Sequence, residues 1–152
     1  MTRLGAILAG AAVLVVAGYG MAEASSPVGP PIASGPITLI GTTAEHFALQ
    51  PDHQFPGRES WKFSLASSRA KGKPFGYAVL ACSYVSVKTT LRQCAGTFSL
   101  PRGKITVAGS FLYPGVYGLA VTGGVDYYVG VGGSVFAQRV AKGSYWFTFS
   151  LR

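Results

Sequence analysis

The residues best suited to acid-base or metal chemistry crowd into one segment, "AEHFALQPDHQFPGRES" at 44–60, which holds Glu45-His46, Asp52-His53 and Glu59. Two acid-histidine pairs could ligate a cation, but their spacing matches no zinc pattern with a known mechanism, and Pro51 places a loop between them. The expectation is exposed loop residues, with no metal and no cofactor. Glu59 differs because it leads into the alternating run Trp61, Phe63, Leu65. A glutamate buried at the edge of such a strand has a raised pKa and can act as an acid, which makes Glu59, or an inward tyrosine, the catalytic candidate.

Other chemistry is excluded by pattern. No G-x-S-x-G occurs, so a serine hydrolase is unsupported. The glycines of "VTGGVDYYVGVGG" (121–133) do not open a helix and lie among β-branched and aromatic residues, which argues against a phosphate cradle. They suit bends in a small barrel, with Gly123-Gly124 forming a tight turn.

The elements that must position these groups are strands. Trp61, Phe63 and Leu65 alternate with Lys62 and Ser64; Ile105 and Val107 alternate with Thr106 and Ala108; Tyr145, Phe147, Phe149 and Leu151 alternate with Trp146, Thr148, Ser150 and Arg152. Period two marks half-buried strands. Candidates run near 37–45, 58–66, 75–87, 91–100, 103–113, 116–122, 127–138 and 144–152, spaced for an antiparallel meander whose closure into a barrel removes exposed edges. The expected fold is therefore all-β, an eight-stranded antiparallel barrel over 37–152.

Two cysteines test the register. If "PFGYAVLACSYVSV" and "LRQCAGTFSL" form a hairpin with its tip at Lys88, residues whose numbers sum to 176 face each other. Cys82 then meets Cys94, Tyr84 meets Arg92 and Leu80 meets Gly96, and the cysteines staple adjacent strands. A redox or metal role would need a C-x-x-C spacing or a neighbouring histidine, and neither is present.

Ahead of the strands, "MTRLGAILAGAAVLVVAGYGMAEASS" has one early cation, an apolar run from Leu4 to Tyr19, and small residues at Ala22 and Ala24. This predicts a signal peptide over 1–24 with cleavage after Ala24, followed by a Pro/Gly/Ser-rich arm at 25–36. The expected destination is the cell exterior or the envelope, where a disulfide is the default for paired cysteines. Cleavage removes Arg3 and Glu23, so the mature charge stays at +8 (13 − 1 basic against 5 − 1 acidic). Such a charge draws a protein toward anionic surfaces such as an envelope. No nucleic-acid module accompanies it, so nucleic acid is not an expected partner.

Two stretches together are similar to a known family. "CAGTFSLPRGKITVAGSF" (94–111) followed by "LAVTGGVDYYVGVGGSV" (119–135) resembles the C-x-G-T-F-x-L-P-x-G-x-I-T-x-x-G and A-V-T-G-G-T-G-x-Y-x-G-x-x-G pattern of bacterial proteins with an allene oxide cyclase-like barrel, related in fold to plant dirigent proteins. The likeness covers roughly residues 52–152. It implies an eight-stranded barrel around an apolar cavity, some trimeric relatives, and guidance of cyclisation or coupling by cavity shape. The family's G-G-T-G becomes Gly123-Gly124-Val125-Asp126 here, and the plant enzymes' catalytic carboxylates map onto no position of this chain. The resemblance therefore transfers the fold and not an activity.

Three functions follow as expectations. The first is a secreted barrel binding a small apolar molecule among Trp61, Phe63, Tyr77, Tyr84, Phe98, Phe111 and Tyr127, with Tyr113, Tyr128, Phe147 and Phe149 also available; aromatic rings supply contact area and phenols orient a polar tip. The second is an isomerase, cyclase or dirigent-type enzyme acting by confinement. The third is a structural or cell-surface protein, a dimer or trimer, whose apolar outer faces are covered by a neighbouring subunit or by the N-terminal arm.

Overall fold

The computed structural model describes residues 36–51, 57–68, 73–86, 88, 90–113 and 115–152. The expected leader with its cleavage point at Ala24, the arm up to residue 35, and the pair Asp52-His53 lie outside the described residues.

Eight strands follow one another in chain order: β1 (Ile37–Leu49), β2 (Arg58–Ser67), β3 (Pro74–Ser86), β4 (Leu91–Leu100), β5 (Gly103–Leu112), β6 (Tyr117–Asp126), β7 (Gly133–Ala141) and β8 (Ser144–Leu151). Each pairs antiparallel with the next, and β1 pairs with β8 to close the barrel. Each strand therefore has a neighbour on both sides, although β1 beyond Thr42 and β6 beyond Val121 extend past the residues that pair with β8 and β7.

The expected cysteine register is the observed one. Cys82 lies opposite Cys94, Tyr84 opposite Arg92 and Leu80 opposite Gly96, and the cysteines are disulfide-bonded with Cα atoms 4.1 Å apart.

Two expectations around the glycine-rich segment need correction. β6 does not stop at 122 but runs to Asp126, and Gly123-Gly124 is not a turn: the two glycines pair with Thr106 and Ile105 beyond a register shift that leaves Thr122 as an extra residue. The reversal falls instead at 127–130, so Tyr127 and Tyr128 belong to a turn and β7 begins only at Gly133. Gly124 explains the choice of residue, because a Cβ there would sit 2.6 Å from the Tyr128 Cβ and 2.8 Å from the Lys104 carbonyl. The turn folds back onto the strand at a distance only glycine allows.

Alternation sorts the side chains. Odd-to-even strand reversals place residues 37, 67, 74, 100, 103, 126, 133 and 151 at one end, called lower here, and 49, 58, 86, 91, 112, 117, 141 and 144 at the upper end. The middle and lower interior is packed by Leu39, Phe63, Leu65, Phe98, Ile105, Val107, Val135, Phe147 and Phe149, all essentially without exposure. Phe98 meets Phe147 and Phe149 edge to face, at centroid distances of 5.1 and 4.9 Å, a favoured aromatic geometry. Tyr128 and Val131, from the turn after β6, are buried against this core.

Candidate functional site

The inward faces of the upper end carry a different chemistry. Glu59 stands at the start of β2 and Trp61 two residues on; Tyr84 ends β3, Arg92 begins β4, Phe111 ends β5 with Tyr113 just beyond, Tyr117 begins β6 and Tyr145 begins β8. Period two places all of these on the same side of the sheet as the core residues further down each strand.

Glu59 and Arg92 are the buried charged residues among those described, 7% and 6% exposed. Arg92 Nη1 donates to Glu59 Oε2 at 2.7 Å. Tyr84 donates its hydroxyl to the other carboxylate oxygen, and Arg92 Nη2 donates to the Tyr84 hydroxyl oxygen at 3.0 Å. The guanidinium also lies over two rings, 4.7 Å from the centroid of Tyr84 and 4.1 Å from that of Tyr113. A planar cation between aromatic faces is well placed for cation–π attraction, and the fork geometry is one that lysine cannot reproduce.

The contacts continue around the barrel. Tyr113 and Phe111 both stack on Tyr117, at 6.5 and 4.3 Å; the Tyr117 and Tyr145 hydroxyls interact with each other; Tyr145 lies 6.2 Å from Trp61, which shares the inner face of β2 with Glu59. The result is a collar of polar aromatic groups inside the upper end. Tyr84, Phe111, Tyr113 and Trp61 keep partial exposure although they face inward.

Electrostatics hold the phenols in their neutral forms. The hydrogen bond to Glu59 raises the Tyr84 pKa, with burial and the carboxylate charge adding to it. Burial lifts Tyr117 far above the ordinary phenol range, helped by Tyr145 and opposed by Arg139. Burial likewise raises Tyr145 and Tyr128. These hydroxyls are therefore hydrogen-bond donors at neutral pH, not bases.

Two donors in the collar remain unmatched. Trp61 Nε1 and Arg92 Nε are buried without a partner among the described residues. Just below the collar, the Cys82–Cys94 disulfide also faces inward: Cys82 lies opposite Glu59, and Tyr84 and Arg92 are each two residues from a bridged cysteine on the same face.

The sequence-derived candidates divide. Glu59, Tyr84, Trp61 and Phe111 meet in the collar. Phe63 and Phe98 belong to the solid core beneath it. Tyr77 is corrected: it stands on the outer face, 47% exposed, because the inward position of β3 is its neighbour Ala78. Tyr127 is also elsewhere, in the lower turn, with the Arg102 guanidinium 3.7 Å above its ring. Glu45 pairs with Lys62 at 2.7 Å on the surface, and exposed His46 packs edge-on against Trp61 at 4.8 Å. Among the described residues no group of three or more His, Cys, Asp or Glu comes together. Sequence reasoning missed Arg92, Tyr117 and Tyr145 as site residues. Arg92 was within reach, since a buried Cys94 puts residue 92 on the inner face.

No protein-family model and no curated protein matches the sequence. Solved structures do match the fold. A pyocyanin demethylase is 20% identical with a TM-score of 0.67, covering 78% of this chain and all of its own. A pterocarpan synthase dirigent protein is 10% identical with a TM-score of 0.60, covering 77% of this chain and 92% of its own. An exo-specific intermolecular Diels-Alderase is 14% identical with a TM-score of 0.62, covering 77% and 96%. At these identities the likeness is one of fold: an eight-stranded barrel shared with dirigent and Diels-Alderase proteins.

Proposed function

We propose that the upper end of the barrel receives a small, largely apolar unsaturated molecule and steers its reaction by confinement, as an isomerase or cyclase-type enzyme of the allene oxide cyclase and dirigent kind. The observation that carries this reading is the buried Glu59–Arg92–Tyr84 cluster. Burying an ion pair costs several kcal/mol per ion before attraction repays it, and an apolar trio of the same volume would serve a core as well or better. A plain packing role therefore does not account for it, whereas a site that must present fixed charges and donors to a ligand does.

Glu59 serves as an anchor in this reading, since both its oxygens already accept hydrogen bonds. Arg92, held by it and by the Tyr84 hydroxyl oxygen, polarises an oxygen of the ligand, and the aromatic collar fixes the orientation of its carbon skeleton. The activities named for neighbouring barrels, a synthase and a Diels-Alderase, agree with this assignment. The inward disulfide supports export to an oxidising compartment.

The test is native mass spectrometry of the protein recovered from its own host, alongside the Glu59→Gln variant. A retained small molecule that the variant has lost supports the reading. A wild-type protein that carries no compound, and converts none of the host's small-molecule extract in a turnover screen, would overturn it.

A self-associated form is a second reading, favoured by the outer face of β3 to β5. There Val79, Ala81, Ala95, Thr97 and Ala108 line an uncharged depression of about 460 Å³, next to exposed Tyr77 and Val85. Such a face fits a second copy of the chain.

A further inference from the structure

The unmatched groups of the collar have one sign. Trp61 Nε1 and Arg92 Nε are donors only, and neither side chain can accept a hydrogen bond. Leaving a buried donor unsatisfied is costly, and among the described residues neither donor reaches the Glu59 carboxylate, which accepts from Arg92 Nη1 and Tyr84 instead. Trp61 follows Glu59 by two positions on the inner face of β2, and Glu59 is bonded to Arg92.

The same inner wall continues onto flat groups, because Phe111 is the cross-strand partner of Arg92. Phe111 and Tyr113 stack on Tyr117 with interplanar angles of 25° and 27°, presenting nearly parallel ring faces. The Glu59 carboxylate offsets the Arg92 guanidinium, so the sign that is left to a ligand is that of the two unmatched donors.

Resting on the ligand-site reading above, we infer that this site selects a planar conjugated acid: a flat unsaturated ring system bearing an anionic oxygen, which Trp61 Nε1 and Arg92 Nε bind while the ring lies along the Phe111–Tyr117 wall. A cationic ligand of the same shape would meet donors where it needs acceptors, and a neutral hydrocarbon would leave both donors unmatched.

The experiment compares three probes of one shape on the disulfide-bonded protein by equilibrium dialysis: 2-naphthoate, 2-methylnaphthalene and 2-naphthylmethylammonium. The expected result is 2-naphthoate bound at least about ten-fold tighter than either of the others, the scale of one hydrogen bond to a charged group. Trp61→Phe keeps the ring and deletes the donor, so it should weaken 2-naphthoate by about ten-fold and move 2-methylnaphthalene by no more than about two-fold. Arg92→Lys, which keeps the charge and loses the planar fork, should weaken 2-naphthoate as well; should that variant fail to fold, Trp61→Phe decides alone. Equal binding of the three probes, or an equal effect of Trp61→Phe on acid and hydrocarbon, overturns the inference and leaves the ligand-site reading standing. Binding of none of them overturns both.

Discussion

Glu59→Gln probes the collar most directly, because it removes a charge while keeping the shape. Glu59 and Arg92 are both more than nine-tenths buried, so solvent offers Arg92 little help once its partner is neutral. A buried pair broken on one side typically loses about 3–5 kcal/mol. The Tyr84 and Tyr113 rings over the guanidinium return part of that, at about 0.5–2 kcal/mol each. The net expectation is a loss of roughly 2–4 kcal/mol, which for a barrel of this length lowers Tm by about 3–5 °C per kcal/mol. Urea denaturation with the disulfide intact measures it directly. The decisive comparison is the double variant Glu59→Gln/Arg92→Met, which deletes both charges and should recover to within about 1 kcal/mol of wild type. A single variant as stable as wild type, or a double variant no better than the single, would refute the argument that the stranded arginine is the source of the cost.

Other outcomes follow from the same geometry. Raised phenol pKa values make stability alkali-sensitive: Tyr84, Tyr117, Tyr128 and Tyr145 stay protonated in the fold above the ordinary value of 10.0 while the unfolded chain ionises. Their contribution is therefore complete below pH 10 and declines as pH rises above it; unfolding free energy measured from pH 8 to 11 should fall, and Tyr117→Phe should flatten the decline. Replacing both Cys82 and Cys94 by alanine should cost roughly 3 kcal/mol by the chain-entropy model, with far-ultraviolet circular dichroism still reporting strands; a loss below about 1 kcal/mol would mean that the bridge adds little beyond the β3–β4 ladder. Ala95→Arg puts a charge in the middle of the uncharged outer face, so if copies of the chain associate there, sedimentation should show a smaller species than wild type, and unchanged mass would remove that face from consideration.

The barrel was legible because its strands obey period two and its two cysteines fix one register. Once Cys82 faces Cys94, the pairing of Tyr84 with Arg92 follows by counting. What counting could not supply was the inward sense of each strand. Tyr77 and Ala78 are equally compatible with an interior position until the Cys82–Cys94 bridge is known to face inward, which puts Ala78 inside and leaves the larger residue exposed. The glycine-rich segment misled for a related reason. A glycine pair reads as a turn from local propensity, whereas Gly124 is required by a contact with Tyr128 that forms only after the following residues fold back.

The collar was hidden for a deeper reason. Its members come from the ends of β2, β3, β4, β5, β6 and β8, and no two from different strands lie closer than four positions in the sequence, the spacing of Tyr117 from Tyr113 just beyond β5. A sheet closed on itself brings such residues together without leaving a local motif, so a motif search finds an inventory too poor for an active site. The same closure explains how one small barrel can serve stability and function at once. Phe98, Phe147 and Phe149 fill the middle and lower interior and supply the apolar burial that holds the fold. That surplus lets the upper strand ends carry a charge pair and two unmatched donors that a core would otherwise exclude. A substitution in the lower interior should therefore be felt first as lost stability, and one in the collar should separate stability from ligand selection, as Trp61→Phe is expected to do.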